Sequence, residues 1–170
     1  MHPTRPAPNN MEQRIGIGFD VHRLVPGRPC ILGGIEIPHD TGPAGHSDGD
    51  AVLHAVCDAL LGAAGLDDLG TLFPDTDAAW KDANSCDLLD EVVARLKQAG
   101  WRAHNVDLVI ATEGPRIAPH RARMRASIAE RLGIDAGYVN VKGKTLEGLG
   151  ALAGGAGVAV QAVALIRALD

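Results

Sequence analysis

Arg14-Ile15-Gly16-Ile17-Gly18-Phe19-Asp20-Val21-His22 is the stretch on which the fold turns. Ile15, Ile17, Phe19 and Val21 alternate with Gly16, Gly18, Asp20 and His22, a period of two that predicts a β-strand. Residues two apart on a strand share a face, so Asp20 and His22 project side by side. Downstream, His46-Ser47-Asp48-Gly49-Asp50 precedes an apolar run ending near Ala64. Val52, Val56, Ala59 and Leu60 follow helical spacing, Ser47 or Asp48 is the expected N-cap, and His54 falls on the helix. If that helix packs beside the strand, Asp20, His22 and His54 converge on one ion. One carboxylate and two imidazoles leave a fourth tetrahedral position for substrate or water, the pattern of a catalytic zinc rather than a structural one. The residues alone leave the plainer reading open, because an Asp-x-His pair is weak and a histidine in an apolar helix is more often a satisfied core residue. The gathering of His46 and Asp48 at a helix start, a natural anion site, favours the metal reading.

Composition bounds the rest. A chain of 170 residues is expected to form one domain, over 13–170, behind a polar, proline-rich tail at 1–12 that is expected to be disordered. Aromatics make up only 3%, so the core must be built from Ala, Val, Leu and Ile, and subunit association becomes a plausible extra source of buried area. The formal charge of −5 argues against nucleic acid and acidic membranes as partners, both of which need a basic surface. Cys30, Cys57 and Cys86 are odd in number and lack C-x-x-C spacing, which suggests reduced thiols in a cytoplasmic protein, with Cys57 a small core residue. The sequence has no 18-residue apolar span and no signal-peptide pattern.

Taken in order, the pattern predicts strands at Arg14–His22, Cys30–Ile37, Val106–Ala111, Val139–Lys142 and Gly157–Ile166. Leu32-Gly33-Gly34 marks a bulge or close backbone approach in the second of these. Pro38–Gly45 reads as a loop, and Gly65–Asp77 as an acidic loop without periodicity. One helix is expected from Asn84-Ser85 to Gln98, with a purely structural inner face, and another from Pro119 to Arg131, whose arginines read as a solvated surface. Asp58, one turn past His54, is a candidate for orienting an imidazole, or else makes a simple helix-surface contact. The expected architecture is α/β in the mixed α+β sense: one domain, a mixed sheet of about four strands, helices on one side.

Five blocks stand in order at natural distances: Gly18-Phe19-Asp20-Val21-His22, Leu32-Gly33-Gly34, His46-Ser47-Asp48-Gly49-Asp50, Asp58-Ala59-Leu60-Leu61-Gly62 and Phe73-Pro74-Asp75-Thr76-Asp77. In these blocks the chain resembles the 2-C-methyl-D-erythritol 2,4-cyclodiphosphate synthases of the non-mevalonate isoprenoid pathway, over about Arg14 to Ile166. The resemblance implies a homotrimer with active sites between neighbours, each holding zinc and a magnesium or manganese ion. It implies conversion of 4-diphosphocytidyl-2-C-methyl-D-erythritol 2-phosphate to the cyclic diphosphate with loss of CMP. His46 and Thr145 match the positions that stabilise the transition state, and Glu147 matches the holder of the second cation. Asp20, Val21, His22, His46, Ser47, Asp68, Leu69, Gly70 and Phe73 to Asp77 (with Pro74, Asp75 and Thr76) match the erythritol, phosphate and ribose side. Ala111, Thr112, Glu113, Gly114, Pro115, Arg116 and Ile117 match the cytosine pocket, and Lys144, Thr145, Leu146 and Glu147 cover the diphosphate.

One segment departs from the pattern. Ala151, Gly154 and Ala156 stand where the family commonly has an aromatic residue, an arginine and a glutamate, and Gly148 replaces a usual lysine. The expectation is a more open or mobile loop from Gly148 to Gly157 and doubt about any isoprenoid diphosphate held on the trimer axis. Two competing functions are a zinc-dependent nucleotide phosphohydrolase, which would consume water, and an inactive trimeric binding protein.

Overall fold

The computed structural model describes residues 11–74, 76–77 and 83–169. Most of the tail expected at 1–12, residues 1–10, lies outside these. A five-stranded mixed sheet forms the frame, in the order β4-β1-β7-β5-β6: β1 (Gln13–Pro26), β4 (Thr41–Pro43), β5 (Trp101–Thr112), β6 (Val139–Lys144) and β7 (Gly157–Ala168). The β5–β6 pair is parallel and the other pairs are antiparallel. Strands β2 (Cys30–Leu32) and β3 (Ile35–Ile37) make a separate two-stranded hairpin.

Three expectations are corrected here. The sheet has five strands rather than about four, because Thr41–Pro43 of the expected loop pairs with Leu24–Pro26. Cys30–Ile37 is not one strand: Gly33 and Gly34 both take positive φ (67° and 74°), so the chain reverses there instead of bulging, while the close approach expected at the glycines is present, a Cβ on Gly34 falling 2.4 Å from Ser127 Oγ and one on Gly33 3.0 Å from Met124. Within the acidic loop, Asp68 caps a short helix, α2 (Leu69–Leu72), by accepting from the Thr71 N–H.

Helix α1 (Ala51–Ala64) lies across β1 and β7, α3 (Ser85–Gln98) against β5, and α4 (Arg121–Leu132) against β6, all on one face of the sheet. The approach of α1 is set by glycine. A Cβ on Gly18 would fall 1.9 Å from the Ala55 carbonyl oxygen, and one on Gly16 2.1 Å from that of Ala59. Only a strand bare at those positions can take the helix so close. The glycine face of β1 is therefore the inner one. Ile15, Ile17, Phe19 and Val21 point the other way and remain exposed at 73%, 62%, 62% and 51%. The core between sheet and helices is aliphatic, with Leu53, Leu60, Leu61, Leu89, Leu108, Ile110, Ile128 and Ile166 fully buried. Cys57 is buried among them, as expected for a small core residue.

The start of α1 is anchored by Asp50, not by Ser47 or Asp48. The fully buried Asp50 carboxylate accepts from the backbone N–H groups of Val52 and Leu53, and also from those of Gly33 and Gly34. It thus joins the helix N-terminus to the hairpin turn through four donors. Burial pushes this carboxyl up to about 6, against the pull of the surrounding amides.

Candidate metal centre and adjoining clefts

Beyond Gly18 the inner face of β1 carries Asp20 and His22, and the first turn of α1 carries His54. The close helix–strand approach brings the three together. Asp20 Oδ2 lies 2.8 Å from His22 Nε2 and 2.9 Å from His54 Nδ1, and the two ring nitrogens are 3.3 Å apart. Among the described residues this trio is the one group of acidic, histidine and cysteine side chains close enough to hold a metal ion. The far nitrogens are also engaged. His22 Nδ1 donates to the Ala44 carbonyl, and His54 Nε2 lies 3.0 Å from Ser85 Oγ and 3.3 Å from Ser47 Oγ. Each imidazole therefore turns one nitrogen to the trio and anchors the other in protein. A carboxylate and two imidazoles in that disposition suit zinc or another borderline divalent ion.

Electrostatics agree with a cation site. Burial raises the Asp20 carboxyl, but hydrogen bonds and charge from His22 and His54 outweigh it and hold the group well below the usual carboxylate range. Asp20 in turn pulls the His22 imidazole up, against the opposing effect of burial.

The trio opens into a cleft of about 500 Å³ lined by Asp20, His22, His46, Ser47, His54, Leu69, Gly70, Phe73 and Leu88. His46 is exposed at its mouth, while Ser47 is buried. Arg28 fixes the backbone here, donating to the carbonyls of Ser47 (2.8 Å) and Gly45 (3.3 Å). A second cleft of about 230 Å³ lies at the same end of the sheet, lined by Thr112, Glu113, Pro115, Arg116, Ile117, Ala118, Arg121, Gly143, Lys144 and Thr145. The two linings share no residue. Gly114 precedes Pro115 through a cis peptide bond and lies beside His39.

Glu147 is exposed and is the one non-glycine residue with positive φ, 52°, among those described. Its turn is held from both sides. Glu113 Oε1 accepts from the N–H groups of Leu146 (3.2 Å) and Gly148 (3.1 Å), and Thr145 Oγ1 donates to Glu147 Oε1 at 2.6 Å.

Other sequence-predicted positions fall outside the two linings. Val21 is on the outer face of β1, opposite Asp20 and His22. Asp68, Pro74, Thr76 and Asp77 flank α2 without lining the larger cleft, Asp75 lies outside the described residues, and Ala111 and Leu146 contribute backbone rather than lining. Asp58 does not orient His54: its Oδ1 accepts from the Leu69 N–H at 2.8 Å and so tethers α2. Helix α3 is more than a structural layer, since Ser85 reaches His54 and Leu88 lines the cleft. Ser85, Leu88 and Arg28 were given no functional part by sequence, and Arg121, read with the other arginines of its helix as solvated surface, lines the smaller cleft instead. Ser85 had shown only as part of a helix start, and its partner stands 31 residues away. From Gly148 to Gly155 the chain is open: Leu149 is 72% exposed, and nothing lies within 4 Å of a Cβ built on Gly148, Gly150, Gly154 or Gly155.

Comparison with known proteins gives a single answer. The model of the YgbB family matches residues 13–167. The 2-C-methyl-D-erythritol 2,4-cyclodiphosphate synthase of Salinibacter ruber is 56% identical over 154 residues, spanning 91% of this chain and 98% of that protein. The enzyme of the same name from Chromobacterium violaceum is 58% identical over 153 residues, 90% of this chain and 97% of the other. Among solved structures, a 2C-methyl-D-erythritol-2,4-cyclodiphosphate synthase in its CDP-bound form superposes with a TM-score of 0.84 at 39% identity, covering 91% of this chain and 100% of that one.

Proposed function

Because the chain belongs to the YgbB family, that of the 2-C-methyl-D-erythritol 2,4-cyclodiphosphate synthases, we propose how its residues divide the work of that reaction. The activity is that of a phosphorus–oxygen lyase in the non-mevalonate isoprenoid pathway. The 2-phosphate of 4-diphosphocytidyl-2-C-methyl-D-erythritol 2-phosphate attacks the β-phosphorus, the bond to the α-phosphate oxygen breaks, and CMP leaves as the eight-membered cyclic diphosphate closes. The nucleophile is already ionised, so no general base is required. The obstacle is repulsion between anions, about 1 kcal/mol for unit charges 4 Å apart in bulk water and more in a drier cleft.

In this reading Asp20, His22 and His54 hold zinc, and Glu147 helps hold a second divalent cation, magnesium or manganese. Such cations supply charge neutralisation and polarisation at the phosphoryl oxygens. His46 donates hydrogen bonds to phosphate oxygens as charge shifts onto them, and Thr145 does the same once its hydroxyl turns from Glu147 Oε1 to the substrate. Ser47, Leu69, Gly70 and Phe73 bound the erythritol and phosphate side. Thr112 to Ile117 hold the cytosine, where backbone groups of Gly114-Pro115 read the base edge, and Lys144 to Glu147 cover the diphosphate.

The two clefts share no lining residue, and β1 shows an apolar stripe to solvent. Both features support a homotrimer in which neighbours bring a metal-bearing cleft of one chain against the cytidine cleft of the next. An uncovered stripe of Ile15, Ile17, Phe19 and Val21 is the kind of surface that association buries.

The observation that carries this reading is the convergence of Asp20, His22 and His54 within 2.8–3.3 Å at the edge of an open cleft. Purified protein incubated with the cytidyl substrate, zinc and magnesium should release CMP and a cyclic diphosphate in equal amounts. His54→Ala should retain neither zinc nor activity. An active, zinc-free His54→Ala variant, or a free phosphate ester as product, overturns the assignment.

A further inference from the structure

The hydrogen bonds behind His54 run in one direction only. Asp48 Oδ2 accepts from the Ser85 N–H at 3.0 Å, and Asp48 Oδ1 accepts from the Asp50 N–H at 3.2 Å and from the Ser85 hydroxyl. A carboxylate has no proton to give, so the Ser85 O–H must point to Asp48. The Ser85 oxygen then has only lone pairs to offer His54, 3.0 Å away. The proton in that contact therefore sits on His54 Nε2. Nδ1, the nitrogen beside Asp20 and His22, is then the one free to ligate a metal ion. The Asp48 N–H donates to the Ala83 carbonyl at 3.1 Å, which ties the segment before α3 to the loop before α1. Ser85 is fully buried, so water does not compete for its hydroxyl.

We infer that Ser85, oriented by Asp48, is a positioning residue that fixes the His54 ring and tautomer for metal binding. The inference rests on the zinc reading of Asp20, His22 and His54. It assigns α3, a helix that contributes no ligand, a part in setting the site. It also explains why a small hydroxyl stands at the first position of α3, which its N-cap Asn84 already caps through the Cys86 N–H at 2.9 Å. The Ser47 hydroxyl, at 3.3 Å from the same nitrogen, is the longer contact and also accepts from the Gly49 N–H at 3.2 Å. Removing the Ser85 oxygen leaves the Nε2 proton with that poorer partner. Partners that orient a ligating histidine are typically worth about 10–100-fold in metal affinity.

The test compares zinc dissociation constants, by chelator competition, of the wild-type chain, Ser85→Ala and Ser85→Thr. Ser85→Ala should bind zinc about 10–100-fold more weakly. Ser85→Thr, which restores the hydroxyl, should recover most of that loss. In ¹H–¹⁵N spectra of the zinc-loaded protein, the His54 Nε2–H should give a downfield, slowly exchanging resonance that Ser85→Ala shifts upfield or loses to exchange. A change in stability alone would not reproduce that signature. Wild-type protein that fails to bind zinc overturns the metal reading and this inference with it. Tight wild-type binding with an unchanged constant in Ser85→Ala, or an unchanged His54 resonance, overturns this inference alone.

Discussion

Gly18→Ala is the substitution that most directly probes how this fold makes its site. A methyl group at Gly18 would lie 1.9 Å from the Ala55 carbonyl oxygen, and Ala55 is the residue after His54. A carbon and a carbonyl oxygen settle no closer than about 3.3 Å. Helix α1 must therefore lift from β1 by on the order of 1.4 Å, or the strand must bend by as much. Insertion of a carbon into a packed interface costs about 1–3 kcal/mol. For a chain of this size that lowers the melting temperature by roughly 2–4 °C per kcal/mol, at fixed protein concentration. The larger effect falls on the ligands. Asp20 and His22 ride on the strand and His54 on the helix, so the 2.9 Å separation of Asp20 Oδ2 and His54 Nδ1 is not preserved. Ligand distances in metal sites tolerate only about 0.2 Å, and zinc affinity should drop by at least about tenfold. Gly62→Ala is the control on the same helix. A Cβ there meets only the Ile17 carbonyl oxygen, at 3.9 Å, so that variant should keep its zinc and gain about 0.5–1 kcal/mol from helix propensity. Thermal unfolding and chelator competition on both variants decide the matter. Native zinc affinity in Gly18→Ala would refute the claim that the glycine face sets the ligand geometry.

Three other outcomes are expected. In zinc-free protein, the raised His22 value gives stability that is complete below 6.5 and lost as pH rises through the folded value. The depressed Asp20 value gives stability that is present above 3.8 and lost on acidification. The melting temperature of the zinc-free form should therefore decline as pH is raised above 6.5, and a flat or rising profile would count against the ion pairing described. Phe19→Asp puts a charge in the middle of the exposed stripe of β1 and should shift sedimentation from the proposed trimer to monomer without unfolding the chain; the same assembly in wild type and variant would remove that face from the proposed interface. Glu113→Ala frees the N–H groups on either side of Glu147, which sits in a conformation costing about 1–3 kcal/mol. Turnover should fall by up to about 10²-fold, with a smaller change in KM. Glu113→Gln, which still accepts both N–H groups, should keep most of the activity.

What could be read from the sequence was whatever repeats over a few residues. The alternation in Ile15–His22 and the helical spacing through Leu60 placed Asp20 and His22 on one strand face and His54 on a helix, and left open only whether that helix packs beside the strand, which the structure shows it does. The boundaries that failed did so for lack of a partner in view. Thr41–Pro43 is a strand only because Leu24–Pro26 lies beside it, and Gly33-Gly34 is a turn whose amides answer to a carboxylate 16 or 17 residues away. Ser85 was out of reach for the same reason, and so was the hold that Glu113 has on the Glu147 turn, their partners standing 31 to 37 residues off.

The alternation in β1 also runs against the usual direction of burial, and that inversion explains the site. In a half-buried strand the apolar residues ordinarily face the core of their own chain. Here they are exposed, and the inner face belongs to Gly16, Gly18, Asp20 and His22. Had Ile or Phe occupied that face, α1 would stand several ångströms further off, at ordinary helix-on-sheet distance, and no short aspartate or histidine could bridge the gap to His54. The glycines bring the helix backbone within reach of the strand, and the displaced apolar residues are left on a surface that association with another copy of the chain would cover. One periodic stretch thereby serves both the candidate metal centre on its inner side and, in the proposed assembly, the subunit interface on its outer side. A substitution exchanging the two faces, such as Gly18→Ile with Phe19→Gly, should abolish zinc binding and assembly together rather than either one alone.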